Sequence, residues 1–286
     1  MLWIRFALRY MFSPKSHSVI NIIVAVSLVA VAVPTAALVV LLAVFNGLNA
    51  TIEELYSAVD ADIEILAERG QTFEADAIDL DALRNTEGVD AVAPYIEQSV
   101  MLSFGDRHTA VTLRGIDSLY YDALPIASLI GRGSIEAATI DGDIVLGYGL
   151  AAYNLGSEVA LYALNRKQLS TLLPMSGLSR AKVQLGGIID SNADIDATLA
   201  LTSIERLQHL ANYPDRISGI VVSVAENSDK KAICQALEDS VGENYKVRTR
   251  EEKNASMNAI LRMEKVAVLL IGALIAIVAA LSIVGS

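Results

Sequence analysis

Chemistry at a protein site needs side chains of suitable type within a few ångströms of each other, and little in this chain is spaced for it. Three histidines (His17, His108, His209) and the single cysteine, Cys234, fall in separate elements with no metal-ligand spacing. Asp190, Asp194 and Asp196 in DSNADID have the outline of a calcium loop. They lack its glycine and its distal glutamate, so an ordinary solvated turn is expected. Gly131-Arg132-Gly133 and Gly186-Gly187 lack the lysine and the helix start of a phosphate cradle, and Gly-x-Ser-x-Gly is absent. Cys234 lies in the helical pattern KKAICQALEDS and reads as a small buried hydrophobe. No catalytic residue, metal or bound cofactor is expected of this chain, so it is not read as an enzyme.

One stretch is chemically unusual in another way. Asn165 to Arg180, NRKQLSTLLPMSGLSR, joins two strand patterns, Val159–Ala163 and Val183–Ile188. It is too long for a tight hairpin. Its centre, Leu172-Leu173-Pro174-Met175, is apolar, and the basic Arg166, Lys167, Arg180 and Lys182 flank it inside an acidic domain. Loops normally expose polar residues, so an apolar tip implies either docking to a partner or folding back on its own domain.

The elements that must position this stretch begin with two apolar runs. From Ser16 to Ile52 there is no charged residue, and the core of that run, Val19–Phe45, holds 27 residues. As a helix it would span about 40 Å, more than the roughly 30 Å hydrocarbon core of a bilayer. A second uncharged run, Val266–Ser286, ends the sequence. The first run is too long for the core of a cleaved leader and is followed by no small-x-small site. Pro34 inside it implies a bend, either merely tolerated or shaped to line a cavity. Over the 286 residues mean hydropathy is +0.45, too apolar for an ordinary soluble domain.

Charge orients the plan. The chain carries −11, and its first 18 residues carry +3 from Arg5, Arg9 and Lys15, which leaves −14 on residues 46–265. Basic residues favour the cytoplasmic side of a first span, which places the acidic domain outside. Such acidity argues against nucleic acid as a partner. The expected plan is an amphipathic segment at 1–18, a transmembrane helix at 19–45, a water-facing domain at 46–265 and a second transmembrane helix at 266–286.

The outer domain reads as α+β. Strands are expected at Asp62–Leu66, Val89–Leu102 (with Pro94 marking an edge or bulge), Ile217–Val224 and Tyr245–Arg248. Helices are expected at Asp79–Thr86, at Ser203–Leu210 capped by Ser203, and at Ser228–Ser240 capped by Ser228. The middle of the domain is strand-rich, with Ala197–Leu201 among its strands. Two outer pieces, about 58–117 and 215–250, form β-α-β units, with a mostly-β subdomain at about 118–214 inserted between them. Glu251–Glu264 reads as a helical stalk back to the second apolar run.

Several stretches resemble a known family. FALRYMFSPKSHSVINIIVAVSLVAVAV, AVFNGL at Ala43–Leu48, IVLGYGLAAYNLGSEV at Ile144–Val159 and Arg262-Met263-Glu264-Lys265 are similar to the membrane subunits of bacterial lipoprotein-releasing ABC transporters, the LolC/LolE type within the MacB- and FtsX-like permeases. The resemblance runs in order along nearly the whole chain. It implies a MacB-like outer domain in the periplasm, an inner-membrane location and a second permease subunit, the same or different. It also implies a cytoplasmic ATPase partner that handles ATP, lipoprotein substrates drawn laterally from the membrane lipid, and a periplasmic carrier that receives them. On the same resemblance Leu172, Leu173, Pro174 and Met175, with Arg166 and Arg180 at the base, form a hook for that carrier. Phe45, Asn46 and Met263 would lie near the lipid-facing entrance. Family members continue to two further helices, so a chain stopping at Ser286 reads as a fragment or a truncated product. The competing readings are a MacB-type efflux permease, an FtsX-like regulator of cell-wall hydrolases and a two-helix sensor with an outer ligand-binding domain.

Overall fold

The computed structural model describes residues 19–284 apart from 58, 105–106, 142, 153–157, 165–177, 192 and 226–227. The chain divides into two compact units. One spans Glu53–Lys253, and the other holds residues 1–52 and 254–286.

The helical unit is built from two long helices, Val19–Ser57, whose residues from Glu53 on belong to the other unit, and Ala255–Val284. Pro34 lies inside the first without ending it. A Cβ placed on Gly272 would come within 2.6 Å of Leu38 Cδ2, so glycine permits the two helices a close approach there. Large apolar side chains face outward along both, Val26 at 62% exposure and Leu270 at 66% among them. Several side chains of these helices lie outside the described residues. Among the described ones, no helix is long and apolar enough to cross a membrane.

Among its described residues the second unit carries twelve strands: β1 (Ile63–Ala67), β2 (Phe73–Glu74), β3 (Val89–Phe104), β4 (Arg107–Ile116), β5 (Ile130–Gly133), β6 (Ile144–Gly147), β7 (Glu158–Leu164), β8 (Leu178–Ile189), β9 (Leu199–Ser203), β10 (Arg216–Ile217), β11 (Gly219–Val224) and β12 (Tyr245–Thr249). Strand β3 is the spine. Its first half pairs with β11, which continues through β1 to β12 as an antiparallel arm. Its second half pairs with β4 on one side and β7 on the other. From there the ladder runs β4–β9–β6–β8–β7 and returns to β3, closing six strands into a ring. Strand β5 adds to β8 outside the ring, and β2 pairs with β10 separately.

Alternation along these strands packs the ring. Leu102, Leu113, Leu146, Leu161, Val183 and Ala200 are buried in one apolar cluster, as the interior of a small closed sheet requires. The helix Ile204–Ala211 packs Ile204, Leu207 and Leu210 into the same cluster. Its approach depends on Gly115 of β4, where a Cβ would meet Ile96 Cγ2 at 2.7 Å and Ile204 Cα at 3.0 Å. A second cluster, built around Tyr95, Ile116, Tyr120, Ile126 and Val221, covers the other face.

Several local expectations hold and others shift. Ser203 caps its helix by accepting from Arg206 N at 3.2 Å. The helix at Lys230–Val241 is capped by Asp229, not Ser228, because the Asp229 carboxylate reaches both Lys231 N and Ala232 N. Residues 197–198 end a short helix, and the strand begins only at Leu199. Asp196 is not in a solvated turn. It is buried, and its Oδ1 accepts from Ser191 N at 3.0 Å. The returning stalk is not one helix, since Arg250–Lys253 and Ala255–Val284 are separate. Pro94 is explained by register. Tyr95 and Glu97 turn their backbone groups toward Ser218 and β11, so Pro94 turns the other way, where pairing with β4 starts only at Ile96. Its missing N–H therefore interrupts no ladder bond.

Candidate functional site

The hairpin of β7 and β8 is the first site. Seven consecutive pairs run from Glu158↔Gln184 to Leu164↔Leu178, so the connection between the strands is residues 165–177. Val159, Leu161, Ala163 and Val183 turn inward to the ring core. On the opposite face the Arg180 guanidinium lies 5.5 Å from the Tyr162 ring centroid, and Lys182 pairs with Glu158. Arg180 and Lys182 are therefore strand residues, because β8 starts five residues before the expected Val183. Arg166 and the apolar Leu172, Leu173, Pro174 and Met175 lie outside the described residues. Phe45 is half-buried and Asn46 exposed on the first long helix, and Met263 is exposed on the second. These three belong to the helical unit and Arg180 to the other.

The second site is an ionic cluster where the chain passes into and out of the Glu53–Lys253 unit. On the incoming side Asp60, Asp62 and Glu64 alternate into β1. On the outgoing side Arg248, Arg250 and Lys253 leave β12. Because Glu64 pairs directly with Arg248 across β1 and β12, the acids and bases meet. Asp60 binds Lys253 Nζ at 2.8 Å. Asp62 Oδ1 binds Lys230 Nζ at 2.7 Å and Arg250 Nη2 at 3.0 Å. Glu64 Oε2 accepts from Arg248 Nε and Nη2 at 3.1 and 2.7 Å, with Lys253 Nζ at 3.7 Å. Its other oxygen accepts from the Tyr95 hydroxyl at 2.5 Å.

Electrostatics follow from this packing. Burial alone would push the Glu64 carboxyl up, but Lys253, the Tyr95 hydroxyl and Arg248 outweigh it and hold the group below the usual carboxylate value. Burial, reinforced by the neighbouring Glu64 charge, raises the Tyr95 phenol well above its ordinary value. Above the Tyr95 ring, at 4.9 Å from its centroid, sits the Arg114 guanidinium, which also donates to Tyr120 Oη at 2.8 Å and Glu97 Oε2 at 3.2 Å. Glu64, Tyr95, Glu97, Arg114, Arg248 and Lys253 line part of an open cleft of about 570 Å³. Among the described residues no group of three His, Cys, Asp or Glu side chains is placed to hold a metal.

Reading the residues in order missed this cluster. Its signal was present in the alternation of Asp60, Asp62 and Glu64 at one end of the domain and of Arg248 and Arg250 at the other. Only the antiparallel register of β1 and β12 makes those patterns complementary.

The family model of the MacB-like periplasmic core domain matches residues 24–240. The chain belongs to this family. The MacB-like chain is also similar to the lipoprotein-releasing system transmembrane protein LolC of Neisseria meningitidis serogroup B, 28% identical over 293 residues, covering 99% of this chain and 69% of that protein. Among solved structures, the periplasmic region of MacB from Actinobacillus actinomycetemcomitans aligns with 14% identity and a TM-score of 0.47, over 73% of this chain and 97% of that one. The extracellular domain of the ABC-type transporter YknZ from Gram-positive bacteria aligns with 16% identity and a TM-score of 0.44, over 65% and 99%.

Proposed function

We propose that this MacB-like chain is a permease subunit of an ABC transporter that draws lipoproteins from the inner membrane and passes them to a periplasmic carrier. Family membership supports an ABC transporter permease of the MacB/FtsX/LolC kind. The LolC relative, aligned over 99% of this chain, supports the finer reading. In that reading 19–45 and 266–286 span the inner membrane, and 46–265 is the periplasmic domain. Within it, the pieces at about 58–117 and 215–250 carry the subdomain inserted at about 118–214. Exposed Val26, Val33, Leu270 and Leu274 support this, because such side chains are better solvated by lipid than by water. ATP is bound and hydrolysed by a cytoplasmic ATPase partner, and a second permease subunit completes the gate. Phe45, Asn46 and Met263 then stand near the lipid-facing entrance.

The observation that supports the reading is the unbroken pairing of β7 and β8 up to Leu164↔Leu178, the two residues between which the sequence carries the apolar Leu172–Met175. A hook built this way needs no rearrangement of its strands to bind. The test uses the full chain in detergent with the periplasmic lipoprotein carrier of the same organism. The chain binds the carrier, and Leu173→Asp with Met175→Asp weakens binding by at least about tenfold while circular dichroism is unchanged. No binding by the unaltered chain at about 50 μM carrier overturns the hook. The alternative is then a MacB-type efflux permease, which the family model equally favours. A two-helix sensor is the more distant alternative.

A further inference from the structure

Strand β3 changes partners along one of its sides. Its last pair with β11 is Gly219↔Tyr95, and its first with β7 is Val100↔Ala163. Among the described residues no strand covers that side of β3 in between. Ser218 stands in at one point, accepting from Glu97 N at 2.9 Å and donating to Glu97 O at 3.3 Å. The open cleft of about 570 Å³ is lined here by Glu97, Gln98 and Ser99 of this stretch and by Thr112 and Arg114 of β4. Its volume suits a small ligand.

Arg114 is the unusual member of that lining. Its side chain is only 15% exposed. Nη1 donates to Tyr120 Oη at 2.8 Å and Nη2 to Glu97 Oε2 at 3.2 Å, while Nε is buried with no acceptor among the described residues. A buried donor left empty costs stability, and folded proteins keep few of them. Nε and Nη2 form one edge of the guanidinium, a fork that takes a carboxylate through two parallel bonds. Glu97 occupies one tine of that fork, with a bond longer than the about 2.7–2.9 Å of a good charge-assisted contact. Its side chain is 35% exposed, so it can turn toward solvent without unpacking the core.

The charges of the cleft are matched in pairs. Glu64 is held by Arg248, Glu97 by Arg114, and Lys253 by Asp60. Such a lining offers little attraction to a net anion or a net cation, and favours a ligand that carries both charges.

We propose that the cleft binds a free polar amino acid. The ligand carboxylate takes the Nε–Nη2 edge of Arg114 with two bonds and supplies the acceptor that Nε lacks. Glu97, displaced from that edge, turns to the ligand ammonium, which the same α-carbon carries beside the carboxylate. One ion pair has opened and two have formed, so no charge is left stranded in the cleft. Gln98, Ser99 and Thr112 then offer hydrogen-bonding groups to the ligand side chain, which is why that side chain is polar. The inference is independent of the carrier hook and of the cargo.

Calorimetric titration of the full chain in detergent tests it, with L-serine, L-threonine, L-asparagine and L-glutamine as probes. At least one of the four binds with a Kd below about 1 mM. The N-acetyl and amide forms of that probe, each lacking one charge, bind at least about tenfold more weakly. Glu97→Gln keeps the shape of the side chain and removes the partner of the ammonium. Arg114→Lys keeps the positive charge and removes the fork. Each weakens binding at least about tenfold, while thermal melting shows the chain still folded. No binding of any of the four at about 1 mM overturns the proposal. So does equal binding of the charge-deleted forms, or binding that Glu97→Gln leaves unchanged. Glu97 is partly exposed, so its variant decides the matter should Arg114→Lys fail to fold.

Discussion

The Tyr95 hydroxyl donates to Glu64 Oε1 at 2.5 Å across 31 residues of sequence. It joins the strand that enters the domain to the strand that organises it. A carboxylate as buried as Glu64 is held by charge-assisted bonds on both oxygens, and each can be removed separately.

Tyr95→Phe deletes one hydroxyl and leaves the ring under Arg114. The carboxylate loses its shortest bond, at a cost of about 1.5–3 kcal/mol. A denaturant titration should show the midpoint lowered with its slope unchanged.

The Glu64 carboxyl is held below its ordinary value, so the folded state binds its proton less readily than the unfolded state does. Its stabilisation is therefore fully present above the unfolded value and is lost as pH falls through the folded one. Comparing the chain with Glu64→Gln from about pH 7 to about pH 3 should show the gap in stability narrowing as the solution becomes acid.

Gly115→Ala places a methyl against Ile96 and the backbone at Ile204. The Ile204–Ala211 helix must then lift from the ring, at about 1–3 kcal/mol. A lower thermal midpoint checks this.

Leu161 is fully buried in the ring core, and Leu161→Ala should cost about 2–5 kcal/mol through the cavity it leaves. Arg180, exposed above Tyr162 on the outer face, is the contrast. Arg180→Ala should change stability by less than about 1 kcal/mol. If the hairpin is the carrier hook, the same change should weaken carrier binding severalfold, as a pull-down with the purified carrier would show.

Much of the fold was legible because local patterns carry it. The alternation of buried Val159, Leu161 and Ala163 marks β7 without any partner in view, and Ser203 announces its helix by type alone. The α+β character of the domain and its family follow from such stretches. The capping of the Lys230–Val241 helix was less legible, since Ser228 and Asp229 are adjacent and both able. Backbone geometry selects Asp229. Asp196 looked solvent-facing because acids usually are, and its burial depends on how its short helix packs. The basic flank of the hairpin was misplaced for a related reason. Leu178–Lys182 alternates too weakly to announce a strand, and pairing with β7 is what extends it.

The sequence alone determined the two long apolar helices, the acidic strand-rich domain between them and the apolar stretch at Leu172–Met175, because composition and short-period pattern act over a few residues. Tertiary structure alone decided that β3 pairs with β11 in one half and with β7 in the other, that six strands close into a ring, and that Glu64 meets Arg248 and Tyr95. Those contacts join residues 31 and 184 positions apart. Strand register is set by the packing of the whole core, and no local stretch of chain contains it.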